Sequence, residues 1–542
     1  MTPSRAPALL IAVIAAVLLF TALGRSDLYN PDEPREAEMA REMFASGDRL
    51  VPRLNGEPFL EKPPLFYWLV VAAYHLAGGP GEGAARAVPA LCGLASVIVT
   101  FWLARRMIGR DAAPLAALVL LTSFEFLWIA RRTMIDMPLT LAVLLACAAL
   151  HQGLAGGRRR PLWLALGYAA CGAAVLFKGI IGAGIPALAA VSWIAARRDW
   201  RGLWRHGLLP GAVAALVPVG FWVLELRDRL GEGAVREFVL VNNVLRFTGG
   251  AAKGHDNPFY YYLPALLTDF APWSIVLPFA LVAAARAARR PGPARDLILW
   301  FGVPLVVLSI ASTKRGIYLL PILPPAAMLV AWWLTEAGAS RARRAASGLL
   351  LALGILLAAL TLAALRLARP ADLAAPIVAG ALLLVPGVAA YRALRRQDAS
   401  AVALSIAGLT GIIELVLFVT VVPAVVNGGT SARAAGVELR RMEEEGDRIA
   451  FFQFKEGTLG GFLFYAGRTF PNLHDPEELT RHLAPGGEAP GPRTFVLMRA
   501  PALEEVAPRV PFPLLEARRY RKPDLPWEKS GKNDYILVTR GP

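Results

Sequence analysis

The sequence predicts a polytopic α-helical membrane protein, and its composition and hydropathy both support this fold class. Of the 542 residues, 56% are hydrophobic and 18% are charged, and the mean hydropathy is +0.48. These values lie far from those of an ordinary soluble enzyme. A bilayer core needs about 20 apolar residues per helix, and the chain contains thirteen such runs. They lie at 6–24, 84–105, 112–130, 134–154, 161–177, 179–196, 206–226, 262–285, 296–312, 316–335, 345–367, 374–391 and 401–426.

Cations in the short loops predict the orientation of these helices. The loops after the even-numbered runs carry 20 arginines, and such an excess is typical of cytoplasmic loops. With an odd number of spans, the N-terminus is then cytoplasmic and the C-terminal segment lies outside. The net charge of +16 has the same origin, because the residues after 426 carry 17 Lys and Arg against 16 Asp and Glu. The excess therefore belongs to helix-connecting loops and does not indicate nucleic-acid binding.

The first run and the cysteines have simple interpretations. Run 6–24 resembles a signal peptide, but it is long enough to span and no convincing small-residue cleavage site follows it, so we expect a retained first helix. Cys92, Cys147 and Cys171 all fall in apolar runs without metal-ligand spacing, and we assign them no chemistry. Residues 161–196 are consistent with two helices or with one broken helix.

Three outer segments, 25–83, 227–261 and 427–542, are too long to be simple connectors. The first contains two short amphipathic stretches that are suited to a membrane surface, 33–46 and 63–77. The last predicts a small α/β domain of about 115 residues. We therefore divide the chain into a transmembrane domain, 1–426, and an outer α/β domain, 427–542. The strand-like runs are 448–454, 493–499 and 534–539, and the helix-like runs are 436–445 and 476–482.

The first outer segment carries an acidic pair, Asp32 and Glu33, within residues 29–35. The pair follows the first helix directly, where the headgroup of a membrane substrate would lie. Helix capping is an equally weighted alternative, because Asp32 suits an N-cap and Pro34 suits the first turn of a helix.

Two other outer segments carry polar pairs. Glu61 and Lys62 stand side by side before an apolar amphipathic stretch, and a surface salt bridge worth about 0 to 1 kcal/mol would also explain them. His255 beside Asp256 has the chemistry of a metal ligand or a proton-transfer group, although a lone loop histidine is more often simply solvated.

A set of five cations departs from the positive-inside pattern by lying at the predicted outer ends of helices. Taken singly, each is best explained as a snorkelling side chain. Taken together, they suggest an anion site, because charges at membrane depth are costly and tend to mark substrate pathways. Ionised phosphate is the group that such a cluster would neutralise. The five are Arg131, Arg132, Lys178, Lys314 and Arg315, with Asp136 at the start of the next helix.

The order of several motifs resembles that of the GT-C membrane glycosyltransferases. Within that superfamily the chain is most similar to the aminoarabinose transferases that modify lipid A, and more distantly to the protein O-mannosyltransferases. The resemblance extends through about residue 335. The motifs are Asn-Pro-Asp-Glu-Pro-Arg at 30–35, Glu-Lys-Pro-Pro-Leu at 61–65, Arg-Arg-Thr-Met-Ile-Asp-Met-Pro at 131–138, Phe-Lys-Gly at 177–179, and Ser-Thr-Lys-Arg at 312–315 followed by Tyr-Leu-Leu-Pro at 318–321.

This resemblance implies an enzyme of the bacterial inner membrane that moves 4-amino-4-deoxy-L-arabinose from undecaprenyl phosphate to lipid A phosphates on the periplasmic side, giving polymyxin resistance. It implies that Asp32 and Glu33 are catalytic and that Lys62 binds the carrier phosphate. It also implies a divalent metal such as zinc, held by Glu61 and His255. The other substrate-binding positions that we expect are Arg35, Arg131, Asp136, Lys178, Arg246, Lys314, Arg315 and Tyr318.

The charges suggest a mechanism of inverting transfer. Breaking the bond to the carrier phosphate leaves an anion, which Lys62, Arg131 and either Lys178 or Lys314 would stabilise. Losing one such donor would cost about 3 kcal/mol of barrier, or ~100-fold in rate. A phosphate acceptor is already ionised, so Asp32 would orient it, whereas a hydroxyl acceptor would make Asp32 the general base.

Two alternatives stay open at this stage. The same enzyme class could act on protein Ser/Thr or on another glycan, or the chain could be a lipid or solute transporter. The unusual charges cluster at one face and show no clear internal duplication, whereas transporters often have repeats and helices broken near mid-membrane. We expect a monomer surrounded by membrane lipids, with no nucleic-acid partner.

Overall fold

The computed structural model describes residues 6–29, 31–205, 207–245, 257–336, 340–368, 374–484, 493–521 and 534–541. The chain forms two compact units, each built from separate stretches of sequence. The first comprises Met1–Leu23, Leu60–Leu69 and Arg86–Val421, and the second comprises Gly24–Phe59, Val70–Ala85 and Val422–Pro542. The predicted domain boundary at residue 427 lies close to Val422, where the last stretch of the second unit begins.

Helices α1 to α9 and one hairpin occupy the chain up to residue 196. The helices are α1 (Ala6–Phe20), α2 (Asp32–Ser46), α3 (Leu65–Ala77), α4 (Glu82–Met107), α5 (Ala112–Leu121), α6 (Phe124–Ala130), α7 (Asp136–Ala155), α8 (Arg160–Lys178) and α9 (Ile181–Ala196). The hairpin pairs β1 (Arg53–Leu54) with β2 (Glu57–Pro58).

The remainder of the first unit is also helical. Its α-helices are Gly202–Arg205, Leu208–Leu230, Glu232–Arg236, Tyr262–Asp269, Leu277–Ala287, Pro293–Ile310, Leu323–Thr335, Arg341–Ala368, Ala374–Arg395 and Ala399–Val416. Glu237–Leu245 and Leu417–Val421 are π-helical, and Phe259–Tyr261, Trp273–Ile275 and Gly316–Ile322 are 3-10 turns.

All thirteen predicted runs coincide with helical segments, so the prediction of a polytopic helical membrane protein is confirmed. Among the described residues, nine helices are long and apolar enough to cross a membrane, and a tenth span results if α5 and α6 are counted together. The apolar helices α1, α9 and Leu277–Ala287 are shorter. Residues 161–196 form two helices, α8 and α9, because Gly179 between them takes a φ of 77° that disfavours other residues.

Two spans that the sequence presents as continuous are broken. Helices α5 and α6 meet at an angle of 64°, because Ser123 leaves the helical conformation. Run 262–285 is interrupted between Asp269 and Leu277, and Pro272 in this interruption has no backbone N–H to continue a helix. Both breaks place polar residues at helix ends inside the apolar unit.

Burial separates the core helices of the first unit from those that face lipid. Side chains of α5, α7 and Leu323–Thr335 are mostly buried within the unit. Helices Arg341–Ala368 and Ala374–Arg395 instead leave large apolar side chains uncovered, such as those of Leu360 and Val385. Such apolar faces are expected where hydrocarbon replaces water as the solvent.

The second unit contains a five-stranded sheet in its C-terminal stretch. The strands are β3 (Arg448–Phe452), β4 (Asn472–Leu473), β5 (Thr494–Arg499), β6 (Leu514–Tyr520) and β7 (Tyr535–Arg540), in the order β4-β3-β5-β7-β6. Strand β3 is parallel to β4 and β5, whereas β7 is antiparallel to β5 and β6. The helices of this stretch are Val422–Val425, Arg433–Glu444, Glu456–Ala466, Pro476–Leu483 and Ala500–Val506.

The predicted α/β character of this stretch is confirmed. The three predicted strands correspond to β3, β5 and β7, the central strands of the sheet. The two predicted helices correspond to Arg433–Glu444 and Pro476–Leu483. Edge strand β6 was not predicted, because most of its residues are exposed and its sequence lacks a continuous apolar run.

The close packing of α8 against α9 predicts that two glycines of α9, Gly182 and Gly184, differ in how well they tolerate an added side chain. A Cβ atom at Gly182 would overlap the carbonyl oxygen of Ala174, whereas a Cβ at Gly184 meets nothing within 4 Å. We expect Gly182→Ala to lower the melting temperature in detergent, because the backbone of α8 must move. Gly184→Ala is the matched control and should leave the temperature unchanged or raise it, since alanine favours a helix by about 1 kcal/mol. Equal melting temperatures for the two variants would contradict the described packing.

Candidate active site

Three predicted site residues of the first unit come together at one end of its helices. Helix α7 begins at Asp136 and α8 ends at Lys178, so both residues lie at the same end of this neighbouring, antiparallel pair. The Lys178 ammonium forms an ion pair with the Asp136 carboxylate. The same ammonium lies 4.7 Å from the centre of the Tyr318 ring, a distance suited to a cation–π interaction. The Lys178 side chain therefore lies between a carboxylate and an aromatic face.

Lys314 and Arg315 lead into the 3-10 turn that carries Tyr318. Lys314 is buried, and its ammonium donates to the carbonyl oxygen of Asn257 over 2.7 Å. The Asn257 side chain returns a hydrogen bond of 3.0 Å to the carbonyl of Lys314. These reciprocal bonds hold the two loop segments together, and Arg315 continues from them in an extended conformation.

Arg131 is placed to hold the end of the first helix. Its guanidinium donates to the carbonyl oxygens of Leu18, in the last turn of α1, and of Thr21, which directly follows the helix. Carbonyls at the C-terminal end of a helix lack helical partners. The guanidinium also stacks 4.6 Å from the centre of the Phe418 ring. With both terminal nitrogens engaged, Arg131 is arranged to position a helix.

The Glu61–Lys62 pair is half-buried in the first unit. The preceding carbonyl, that of Leu60, accepts a 3.2 Å hydrogen bond from the buried Asn242 side chain. Arg246 and His255 lie outside the described residues. Within the part of the chain that the structure describes, no group of three or more His, Cys, Asp and Glu side chains is arranged to hold a metal ion.

Two carboxylates that the sequence analysis did not select lie in the same region. Glu125 of α6 interacts electrostatically with Asp269, Asp136, Arg132 and Arg315. Asp269 ends the helix Tyr262–Asp269 at the break in that span. The sequence did contain a signal for both, since each is a single acid inside an otherwise apolar run, and such residues tend to be functional.

Gly316 permits the close approach of Asp269 to the turn that carries Tyr318. A Cβ atom at this position would stand 2.7 Å from Asp269 Oδ2. Helix Tyr262–Asp269 and the turn Gly316–Ile322 therefore pack with no room for a side chain between them. Glycine at this position keeps a carboxylate near the charged helix ends.

In the second unit, helix α2 carries the acidic motif on its first turn. Arg35 donates to Asp32 over 3.2 Å and to Glu36 over 3.0 Å, and its guanidinium lies 5.5 Å from the centre of the Phe59 ring. Acids in the first turn also suit the positive end of the helix dipole. About 15% of the Asp32 side chain stays exposed, so Asp32 is ion-paired but accessible.

Glu33 has a different environment from its neighbour. It is fully buried, and its carboxylate accepts a 2.8 Å hydrogen bond from the backbone N–H of Tyr29. This contact closes the turn that leads into α2, much as a capping residue does. Of the two predicted catalytic acids, Asp32 is therefore the one that stays partly exposed, and Glu33 is buried and bonded to the preceding loop.

The remainder of α2 buries further charge in pairs. Arg41 donates two hydrogen bonds, of 2.6 and 2.7 Å, to Glu38. Burial raises the pKa of Glu38 to about 8, although the Arg41 guanidinium opposes this rise. Glu42 accepts hydrogen bonds from the backbone N–H groups of Asn55 and Gly56 in the β1–β2 turn. The helix ends at Ser46, and Gly47, which follows it, has a φ of 72° that is typical of a helix C-terminus.

A helical membrane unit with charges gathered at its helix ends, together with a second unit that carries an acidic motif and a small sheet, is the combination expected of the GT-C class of membrane glycosyltransferases. A family model for dolichyl-phosphate-mannose-protein mannosyltransferases matches residues 7–224. The crystal structure of ArnT from Cupriavidus metallidurans bound to undecaprenyl phosphate is similar at a TM-score of 0.75 and 25% identity, covering 98% of this chain and 97% of that one.

Sequence relatives identify the family. The undecaprenyl phosphate-α-4-amino-4-deoxy-L-arabinose arabinosyl transferase of Pseudomonas aeruginosa (strain UCBPP-PA14) is 33% identical over 388 residues, which are 70% of this chain and 69% of that protein. The enzyme of the same name from Edwardsiella ictaluri is 34% identical over 330 residues, and the chain spans 58% of its length. The chain belongs to this arabinosyl transferase family, as its motifs predict.

The ion pair between Asp136 and Lys178 should contribute to stability. Removing one partner of a buried pair leaves an uncompensated charge and costs about 3–5 kcal/mol, whereas removing both costs less. We therefore expect Asp136→Asn to lower the melting temperature in detergent more than the double change Asp136→Asn with Lys178→Met. Asp228→Asn serves as the control, because it removes an exposed pair with Arg227 that is worth only about 0–1 kcal/mol. A double variant that is less stable than Asp136→Asn would argue against the pairing.

Proposed function

We propose that this protein transfers 4-amino-4-deoxy-L-arabinose from undecaprenyl phosphate to phosphate groups of lipid A. The carrying observation is the likeness, over nearly the whole of both chains, to an ArnT structure that binds undecaprenyl phosphate. Membership in the arabinosyl transferase family supports the choice of sugar. The gathered cations of the first unit are suited to a phosphate-linked donor.

The charges assign individual roles in the transfer. A lipid A phosphate oxygen attacks the anomeric carbon as the bond from that carbon to the carrier phosphate breaks, which inverts the configuration and releases undecaprenyl phosphate. Lys62, Lys178 and Arg315 stabilise the charge on the carrier phosphate as it leaves. Asp136 and Tyr318 hold Lys178 in place. Asp32 orients the acceptor, which is already ionised and needs no base.

Topology and physiology follow from the same proposal. The arginine-rich loops face the cytoplasm of a bacterial cell, so that the N-terminus is cytoplasmic and the second unit lies in the periplasm, across the inner membrane. Each transfer adds an ammonium group beside a lipid A phosphate. The outer surface then attracts cationic peptides such as polymyxin less strongly.

A second acceptor class has one specific observation in its favour. The family model that matches residues 7–224 describes protein mannosyltransferases that use dolichyl phosphate mannose. If the acceptor is a protein Ser or Thr hydroxyl, a proton must leave during the attack, and Asp32 is the group that would accept it. The acceptor assay below separates the two classes.

We also propose, from the sequence, that Glu61 and His255 contribute to a site for one divalent metal such as zinc. Of these two residues, Glu61 lies within the described part of the chain and His255 lies outside it. Metal analysis of the purified protein tests the proposal. Stoichiometric metal that is lost in Glu61→Gln would support it, and metal-free protein with full activity would refute it.

Complementation tests the main proposal. In a host that lacks its own aminoarabinose transferase, the wild-type chain should add the aminoarabinose mass to lipid A and restore polymyxin resistance. Asp32→Asn should lower the transfer rate by about 100-fold, as for other polar groups that act at the transition state. Glu33→Gln keeps an oxygen that can accept the Tyr29 N–H and should reduce the rate less. Mass spectrometry of lipid A and a rate assay with carrier-linked sugar provide the measurements.

The outcomes separate the hypotheses. Asp228→Asn, an exposed change outside the site, should match the wild type. Unchanged lipid A in cells that express the wild-type chain well would refute the proposed acceptor. Transfer of the sugar to a peptide, but not to lipid A, would favour the protein-directed alternative.

A further inference from the structure

The turn that leads to the acidic motif is held by side chains from the C-terminal stretch of the second unit. The backbone N–H of Asp27 donates to the side-chain oxygen of Asn427 over 2.8 Å. The next N–H, that of Leu28, donates to the hydroxyl oxygen of Tyr465, also over 2.8 Å. The third, that of Tyr29, donates to Glu33. Three consecutive backbone groups are thus satisfied, and the first two partners lie 400 and 437 residues further along the chain.

The Asp27 side chain strengthens this attachment. It accepts hydrogen bonds of 2.6 Å from the Ser431 hydroxyl and from the Arg433 guanidinium. Arg433 also pairs with Glu82 and lies 4.8 Å from the centre of the Tyr465 ring. Burial, together with the nearby carboxylates of Glu82 and Asp27, raises the pKa of Tyr465 above its ordinary value. A phenol is neutral at physiological pH even at its ordinary pKa of about 10, so Tyr465 accepts the Leu28 N–H without placing a charge there.

The first turn of α2 also touches the backbone of helix Glu456–Ala466. A Cβ atom added at Gly460 would stand 2.6 Å from the Cα and 2.9 Å from the backbone nitrogen of Arg35. One added at Gly457 would stand 2.8 Å from the Cβ of Pro31. These atoms belong to the backbone or to a rigid ring, and they can yield only if the start of α2 moves. The residues that the two glycines contact, Pro31 and Arg35, therefore lie on either side of Asp32 along the chain.

From these contacts we infer that the C-terminal stretch positions the carboxylate of Asp32, with Gly460 and Tyr465 as positioning residues for the transfer reaction. Gly460 allows the first turn of α2 to lie close to helix Glu456–Ala466. Tyr465 binds the backbone of the turn that precedes α2. Neither residue touches the reacting atoms. The inference rests on the proposed role of Asp32, and it gives the sheet-containing stretch a function beyond its own folding.

Two conservative changes test this inference, each with a matched control in the same unit. Gly460→Ala introduces one methyl group against the backbone of α2, whereas Gly428→Ala introduces the same group where nothing lies within 4 Å. Tyr465→Phe removes the acceptor of the Leu28 N–H. Tyr520→Phe removes a comparable 2.9 Å hydrogen bond to Glu438, away from the acidic motif.

The expected signature is a loss of kcat with little change in KM for the carrier-linked sugar. A misplacement of about 1 Å can cost ~100-fold in rate, so we expect a loss of this order in Gly460→Ala and a smaller one in Tyr465→Phe. Both controls should match the wild type. Melting temperatures measured on the same full-length preparations in detergent identify any variant that loses activity through unfolding.

A double-mutant comparison separates positioning from general damage. If Tyr465 acts through Asp32, then Tyr465→Phe should reduce the rate in the wild-type background and have little effect in the Asp32→Asn background. Equal losses in both backgrounds would overturn the inference, as would wild-type kcat in Gly460→Ala and Tyr465→Phe. A wild-type protein without transferase activity would instead overturn the proposed function, so the two failures are distinguishable.

Discussion

A charged side chain at the end of an apolar helix is stable only when a partner satisfies it, and the first unit is organised around this constraint. The Lys178 ammonium forms an ion pair with the Asp136 carboxylate, and the Lys314 ammonium donates a hydrogen bond to the Asn257 carbonyl. The Arg131 guanidinium has carbonyls at the end of α1. Every partner comes from another segment of the chain, so satisfying the charges also fixes the helix ends relative to one another. A phosphate-binding surface requires this kind of rigidity, because preorganised charges stabilise an anion best.

Hydropathy was sufficient to predict a polytopic helical membrane protein, because a bilayer requires a similar length and polarity of each spanning helix. It could not predict the breaks at Ser123 and near Pro272. An apolar run has the same composition whether it is straight or bent, and packing against neighbouring helices decides between the two. The boundary between α8 and α9 was visible in the sequence only as Lys178 followed by Gly179. The positive φ of that glycine is what separates the two helices in the structure.

In the candidate site, too, the sequence indicates individual residues but not the contacts between them. Residue type and order indicated Asp136, Lys178 and Tyr318, whereas their mutual contacts depend on how α7, α8 and a 3-10 turn pack. Glu125 and Asp269 belong to no motif, and each lies alone in an apolar run. Such isolation is itself a signal of function in a membrane protein. Asp32 and Glu33 are neighbours in one motif, and no pattern distinguishes them. Only burial separates the accessible acid from the one that is bound to Tyr29.

Helix α2 shows why an acidic motif near the start of this chain depends on residues near its end. Its sequence is strongly polar, yet most of its residues are buried. A separate fragment of residues 24–59 would therefore leave several carboxylates either exposed to water or without a partner. The partners of this region include Arg433, Tyr465 and Gly460, and Asp27 and Arg433 are 406 residues apart. Such a distant pairing carries a loop-closure cost that grows only slowly with length, and the many contacts of the second unit offset it. During synthesis the acidic motif therefore acquires its final surroundings only after helix Glu456–Ala466 has been made, which links the completion of the site to the completion of the chain.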